Sequence, residues 1–153
     1  MTEVSTGLKF RRQPSPVLAE HRPIYKICQI LLVLHISSRG SRSRLPRLHL
    51  FNWALRSPER IEQLTRAAAE KVLRVRAWGF DPALAIAVRF AIAEGLVHEA
   101  SNAYELTDSG MSLVKDILTN RDIFLSDKNA LNAIGKGITE GMVDNVAKGW
   151  EAE

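Results

Sequence analysis

The stretch FAIAEGLVHEASNAYELTDSGMSLVKDI, residues 90–117, decides the fold of this chain. It begins as an apolar helix, which Gly95 ends by letting the backbone reverse its direction. Two short apolar runs, residues 96–97 and 104–106, then flank a polar turn, and this pattern predicts a β-hairpin. Thr107 follows as the N-cap of another helix. The stretch therefore predicts a helix, a hairpin and a second helix in succession.

Upstream of this stretch, a proline marks the start of each predicted helix. These helices are expected to begin at Pro23, Pro46, Pro58 and Pro82. Asp81 is expected to cap the last of them. The polar, arginine-rich residues 37–44 predict a loop, and the alternation in LRVRAW, residues 73–78, predicts a short strand.

Downstream, Ser126 is expected to cap one long helix over residues 127–150. Its apolar stripe consists of Leu131, Ile134, Ile138, Met142, Val146 and Trp150. Four glycines weaken this helix by roughly 1 kcal/mol each relative to alanine. Its stability must therefore come from packing, either on another chain or on the first helix of this one.

The order of these elements predicts a mainly α fold with a small β-hairpin: a winged helix-turn-helix with the hairpin as wing, plus C-terminal helices. Residues 1–22 are interpreted as a mobile N-terminal arm, 23–120 as the winged-helix domain and 121–153 as a C-terminal helical extension. The single cysteine allows no internal disulfide, and no apolar run approaches the roughly 20 residues of a bilayer span. The sequence therefore favours a cytoplasmic protein.

Positive charge is concentrated at one end of the chain. Residues 1–60 hold eleven Lys and Arg against three Asp and Glu, whereas residues 61–153 hold ten against fourteen. The predicted loop and the helix start after it carry Arg39, Arg42, Arg44 and Arg47. Two interpretations are open: these arginines contact nucleic-acid phosphates, or they are solvated charges that keep the protein soluble. Arg11 and Arg12 either add to this patch or are idle charges of the arm.

The predicted helix PALAIAVRFAIA, residues 82–93, is poorly suited to reading DNA. A winged-helix protein presents polar side chains of its third helix to base edges, and here Arg89 is the only candidate. The helix is apolar all round, which predicts burial. We expect Leu84, Ala87, Val88 and Ala91 in particular to be mostly buried.

Residues for catalysis or metal binding are not apparent. Cys28 lies in an apolar helix and is interpreted as a small buried hydrophobe, and the four histidines lack metal-ligand spacing. We therefore expect no enzyme activity, no cofactor and no metal. Asn52 and Trp53 have two interpretations, as anchors for a partner or, for Trp53 preferentially, as a core residue.

Four segments together resemble a known family. They are RPIYKICQILLVL (22–34), LPRLHLFNWALRSPE (45–59), GFDPALAIAVRFAIAEGLV (79–97) and YELTDSGMSLVKDI (104–117). Their combination is similar to the middle component of bacterial ABC three-component systems, including the small subunit of Lamassu-type anti-phage systems. LHLFNWALRS, residues 48–57, is the most specific piece, because neither amphipathicity nor a winged helix requires Asn52-Trp53.

This resemblance implies an adaptor that links an SMC-like ABC ATPase to an effector protein, with non-specific contact to DNA backbone as an additional role. Partner contacts are then expected at Asn52, Trp53, Ile134, Ile138, Met142, Val146 and Trp150. The alternative is a transcriptional regulator that binds an operator as a dimer, which the apolar third helix disfavours. A small nuclease or toxin is a weaker third candidate, because no catalytic cluster is visible.

Overall fold

The structure, a computed structural model, describes residues 23–152, with side chains as far as residue 149. In that range the chain is mostly helical with a small antiparallel sheet, as the sequence predicts. The helices are α1 (Pro23–Ile36), α2 (Leu45–Ala54), α3 (Pro58–Glu70), α4 (Pro82–Ala93), α5 (Asp108–Thr119), α6 (Leu125–Ile134) and α7 (Glu140–Ala152). The predicted N-terminal arm lies outside the described residues.

In the described part of the chain the sheet has three strands. They are β1 (Arg42–Arg44), β2 (Val97–Ala100) and β3 (Ala103–Leu106), in the order β1-β3-β2. β2 and β3 form the predicted hairpin, with Val97 opposite Leu106. The turn residues Ser101 and Asn102 both have positive φ, 53° and 66°, as a two-residue type I′ turn requires.

Helix α1 is the centre of the core. Nine consecutive residues, 26–34, are buried, so nearly the whole circumference of the helix is covered. α1 packs against α2, α4, α5, α6 and the sheet. A surface helix would show an apolar stripe instead, so the broad apolar run in the sequence correctly predicts a core helix.

Two predicted N-caps are confirmed by their hydrogen bonds. The Asp81 carboxylate accepts from the Ala83 N–H at 3.0 Å, at the start of α4. The Thr107 hydroxyl accepts from the Gly110 N–H, also at 3.0 Å, at the start of α5. Between these helices Gly95 has φ +74°, the left-handed conformation that turns the chain into the hairpin.

The prediction of a strand at residues 73–78 is wrong. Leu73 and Val75 are half-buried between exposed arginines, so the alternation is real, but this segment pairs with no strand among residues 23–152. The additional strand is β1, inside the predicted loop 37–44, where Ser43 pairs with Tyr104 and is fully buried. The sequence Arg-Ser-Arg has little intrinsic preference for a strand, so pairing with β3 is what stabilises its extended conformation.

The prediction of one helix over 127–150, capped by Ser126, is also wrong. The structure has α6 and α7 separated by residues 135–139, and α6 already begins at Leu125. Gly135 has φ 66° and ψ −151°, a conformation that only glycine adopts readily, so the helix ends there. α6 packs against α1 and α3, and α7 packs against α2. The described residues of the C-terminal stripe, from Leu131 to Val146, therefore pack on this chain's own core.

No helix within residues 23–152 combines the length and the apolar character needed to cross a bilayer.

Candidate functional site: a basic cleft and an exposed helix face

All four arginines singled out in the sequence line one cleft of about 280 Å³. The cleft lies where β1 and the hairpin turn meet the α6–α7 loop. Its lining residues are Arg39, Arg42, Arg44, Arg47, Ser101, Ala103, Lys136, Ile138, Thr139 and Glu140. Five of them are cationic and one is a carboxylate, so the cleft is a strongly positive concave surface. We call it the basic cleft.

The pairing of β1 with β3 places these arginines beside the turn of the hairpin. Arg42 lies opposite Glu105, and Arg44 lies opposite Ala103 at the start of β3. The Arg42 guanidinium also donates to the Ala100 carbonyl at 3.3 Å. Residues that are 58 positions apart in the chain are thus brought to one edge of the sheet.

Arg47 has a structural role, which neither of the two interpretations from the sequence included. It is only 3% exposed. Its Nε donates to the Ile138 carbonyl and its Nη1 to the Ser38 hydroxyl, both at 2.7 Å, and its Nη2 donates to the Ser37 carbonyl. Burial lowers the pKa of Arg47 to about 10. Because this pKa is still well above 7, the guanidinium is charged at neutral pH. Arg47 therefore ties the α6–α7 loop to the end of α1.

Arg44 is held by two carboxylates of α7. Its Nη2 lies 2.8 Å from Asp144 and its Nε lies 3.5 Å from Glu140. Its backbone N–H also donates to Glu140 at 2.9 Å. All three side chains are about 33–42% exposed, so these ion pairs are in contact with solvent.

The remaining cations of the cleft are exposed. Arg39 lies in a short 3-10 turn, Arg39–Ser41, and Lys136 lies between α6 and α7. Lys136 was not predicted as a site residue, because the sequence pattern placed it inside a continuous helix. The glycines on either side of it were the available signal that the helix breaks there.

The second candidate surface is the outer face of α4. Leu84, Ala87, Val88 and Ala91 are buried, as predicted. Burial all round the helix, however, is a wrong prediction: Ile86 is 50% exposed, Phe90 48% and Ile92 38%. Within the described residues α4 packs through its inner face, mainly against α1 and β2.

The structure places the predicted partner-binding residues mainly inside the domain. Asn52 is buried in a polar network, and Ile134 and Ile138 belong to the core with exposures of 3% and 1%. Met142 and Val146 are partly buried against the same core. Trp53 is half-buried, and the Arg60 guanidinium lies 4.7 Å from the centroid of its ring. The side chain of Trp150 lies outside the described part.

Potential reactive groups were also located. Cys28 is fully buried, and burial raises the pKa of its thiol to about 12, so it is a core residue as predicted. Among residues 23–152 the structure contains no group of three or more His, Cys, Asp or Glu side chains that would hold a metal ion.

Comparison with known proteins finds no match among family models, curated proteins or solved structures. The resemblance to ABC three-component systems is therefore an expectation from the sequence motifs alone.

Proposed function

We propose that this protein is a cytoplasmic, non-catalytic winged-helix adaptor that binds a protein partner through the outer face of α4. The observation that carries this proposal is the composition of that face. The exposed residues of α4 are Pro82, Ile86, Arg89, Phe90, Ile92 and Ala93. Only Arg89 among them carries a polar side chain.

The order of elements supports the winged-helix part of the proposal. α4 leads through Gly95 directly into the β2–β3 hairpin, as the third helix of such a domain leads into its wing. β1 precedes α2 and pairs with β3, which anchors the hairpin to the start of the domain. A winged helix and its wing are the arrangement that the sequence predicts.

The chemistry of the α4 face favours protein over DNA base edges. Base edges in the major groove are read by hydrogen-bonding side chains, which this face lacks except for Arg89. Exposed apolar patches mark interaction sites, and aromatic residues such as Phe90 are enriched at interface cores. The same composition disfavours the alternative function, a dimeric operator-binding regulator.

The identity of the partner comes from the resemblance. The motifs of residues 22–117 support an SMC-like ABC ATPase and an effector protein as the neighbours that this adaptor joins, in an anti-phage defence complex. Non-specific contact with the DNA backbone, through the basic cleft, is the additional role within this complex.

Co-purification with the products of the neighbouring genes tests the proposal. The tagged full chain is expected to retain the ABC ATPase, whereas the double variant Ile86→Gln and Phe90→Gln should lose it. Substitution of interface hot spots costs about 2 kcal/mol or more each, which is roughly thirty-fold in affinity. Glutamine keeps the helix propensity high, so the variant should fold.

The matched control introduces glutamine at two other exposed apolar residues, Leu118→Gln and Leu125→Gln, which are 40% and 45% exposed on α5 and α6. This variant should retain the partner. Retention by both variants, with unchanged thermal unfolding, would overturn the assignment of α4 as the docking face.

A further inference from the structure

We infer that the basic cleft is a site for one phosphate group of a nucleic-acid backbone, and that two carboxylates of α7 occupy its Arg44 until the phosphate displaces them. Arg39, Arg42 and Lys136 are the side chains that first engage the phosphate. This inference extends the DNA contact of the proposed function and rests on it. It does not depend on the α4 face.

The positive charge of the cleft favours the binding of an anion. Its five cations line the cleft together with a single carboxylate, Glu140. Arg39, Arg42 and Lys136 are exposed. A concave surface of one charge sign concentrates counter-ions and attracts charged ligands.

The size and lining of the cleft favour the backbone over a base. At about 280 Å³ it lies just below the range of about 300–1,000 Å³ that holds whole small molecules. None of its lining residues, all from the described part of the chain, is aromatic, so the cleft offers no ring for a base to stack on. A phosphate with part of its sugar matches both features.

The cleft is held open by buried bonds. Arg47 donates to carbonyl groups of Ser37 and Ile138, which belong to segments about 100 residues apart. Because Arg47 is buried, these bonds fix the α6–α7 loop, and with it Lys136, against the arginine-rich segment. A site built in this way does not have to be ordered when the ligand arrives.

Glu140 and Asp144 imitate the ligand. Arginine binds carboxylates and phosphates with the same planar set of N–H donors. The three side chains are partly exposed, and ion pairs in contact with solvent contribute little net stability. A phosphate can therefore replace the carboxylates at Arg44, and α7 acts as a weak internal competitor.

Fluorescence anisotropy with a labelled 20-base-pair duplex of arbitrary sequence tests the inference on the isolated full chain. Arg39→Ala with Arg42→Ala, and separately Lys136→Ala, should weaken binding about ten-fold or more at low salt. The slope of log K against log salt should become shallower by about one unit for each lost contact. Arg66→Ala with Arg74→Ala removes the same charge elsewhere on the surface and should have a much smaller effect.

A second pair of variants should act in the opposite direction. Glu140→Gln with Asp144→Asn should tighten binding, whereas Glu62→Gln with Glu70→Gln, which frees Arg66 and Arg74, should not. Asp144→Asn alone, which leaves the bond of Glu140 to the Arg44 backbone in place, covers the case in which the double variant is unstable. Every variant keeps Arg11 and Arg12, which lie outside the described residues.

Equal effects of the cleft and control variants would overturn the inference, because binding would then follow overall charge. Failure of the unaltered chain to bind the duplex would overturn it as well. Neither result bears on the docking of a protein at α4, because no partner is present in this experiment. Conversely, loss of co-purification would leave duplex binding by the isolated chain intact.

Discussion

Asn52 on α2 accepts a hydrogen bond of 2.6 Å from the buried ammonium group of Lys26 on α1. Both side chains also contact the carboxylate of Asp81: Lys26 Nζ lies 3.3 Å and Asn52 Nδ2 3.0 Å from its Oδ2. Because Asp81 caps α4, this network fixes the start of the helix that carries the proposed docking face. Asn52, expected from the sequence to touch a partner, positions that face from inside the domain.

Replacement of Asn52 by alanine should therefore destabilise the protein. Hydrogen bonds to charged groups contribute about 1.5–3 kcal/mol, and truncation leaves a buried ammonium with one partner fewer. We expect a loss of about 2–3 kcal/mol in the free energy of urea unfolding. Asn129→Ala on the exposed side of α6 is the control and should change it little. An unchanged free energy for Asn52→Ala would contradict the role of the network.

His49 should make the stability depend on pH. Burial lowers the pKa of His49 below its ordinary 6.5, and its Nδ1 accepts the backbone N–H of Asp81 at 3.3 Å. Below about pH 6.5 the imidazole of His49 is therefore protonated in the unfolded chain while it is still neutral in the folded protein. The stability of the protein consequently falls as the pH is lowered. His49→Asn, which keeps an acceptor but does not titrate, should flatten the fall between pH 6.5 and 5.5.

Urea unfolding at pH 7.5, 6.5 and 5.5 measures this difference. His98→Asn, which removes an exposed histidine from β2, is the control. A slope that is the same for His49→Asn and the unaltered protein would show that His49 is not the group responsible.

Asp127 is expected to lower stability at neutral pH. Burial raises the pKa of its carboxyl, and hydrogen bonds from Gln29 and Tyr25 offset only part of this effect. The folded state therefore favours the protonated form, so the contribution of Asp127 declines as the pH rises above about 3.8. Asp127→Asn keeps an acceptor for both donors and should raise the melting temperature at pH 7. Its advantage should disappear near pH 3, and a lower melting temperature at pH 7 would contradict this explanation.

Gly137 is required by a close approach between the α6–α7 loop and α3. A Cβ at this position would lie 2.8 Å from the Cβ and 3.0 Å from the carbonyl oxygen of Ala68. Gly137→Ala should therefore cost about 1–3 kcal/mol, the range for overpacked sites. Gly149→Ala in α7, where nothing lies within 4 Å, should be neutral or stabilising, and equal unfolding midpoints would show that the loop is free to move.

The features that the sequence predicts well depend on neighbouring residues. The cap at Thr107, the turn at Gly95 and the hairpin all follow from local backbone chemistry, and each is present. The core position of α1 also agrees with its apolar run, whereas the same pattern in α4 wrongly predicted burial on all sides.

The features that it does not predict depend on contacts between distant segments. β1 exists because Ser43 meets Tyr104, and no local pattern shows this. The burial of Arg47 depends on carbonyl groups that only the folded chain brings together. Lys136 lies in the basic cleft because Gly135 and Gly137 interrupt the helix. The apolar spacing alone predicts that this helix continues. In each of these cases tertiary contacts override the local pattern.

Site-specific photo-cross-linking tests the central claim, that α4 docks on a protein, most directly. A photoreactive phenylalanine analogue is placed at Phe90 in one variant and at Leu118 in a second, in cells that produce the neighbouring gene products. We expect irradiation to join the protein covalently to the ABC ATPase or the effector from position 90 and not from position 118. A product with DNA from position 90, or the same protein products from both positions, would contradict the account.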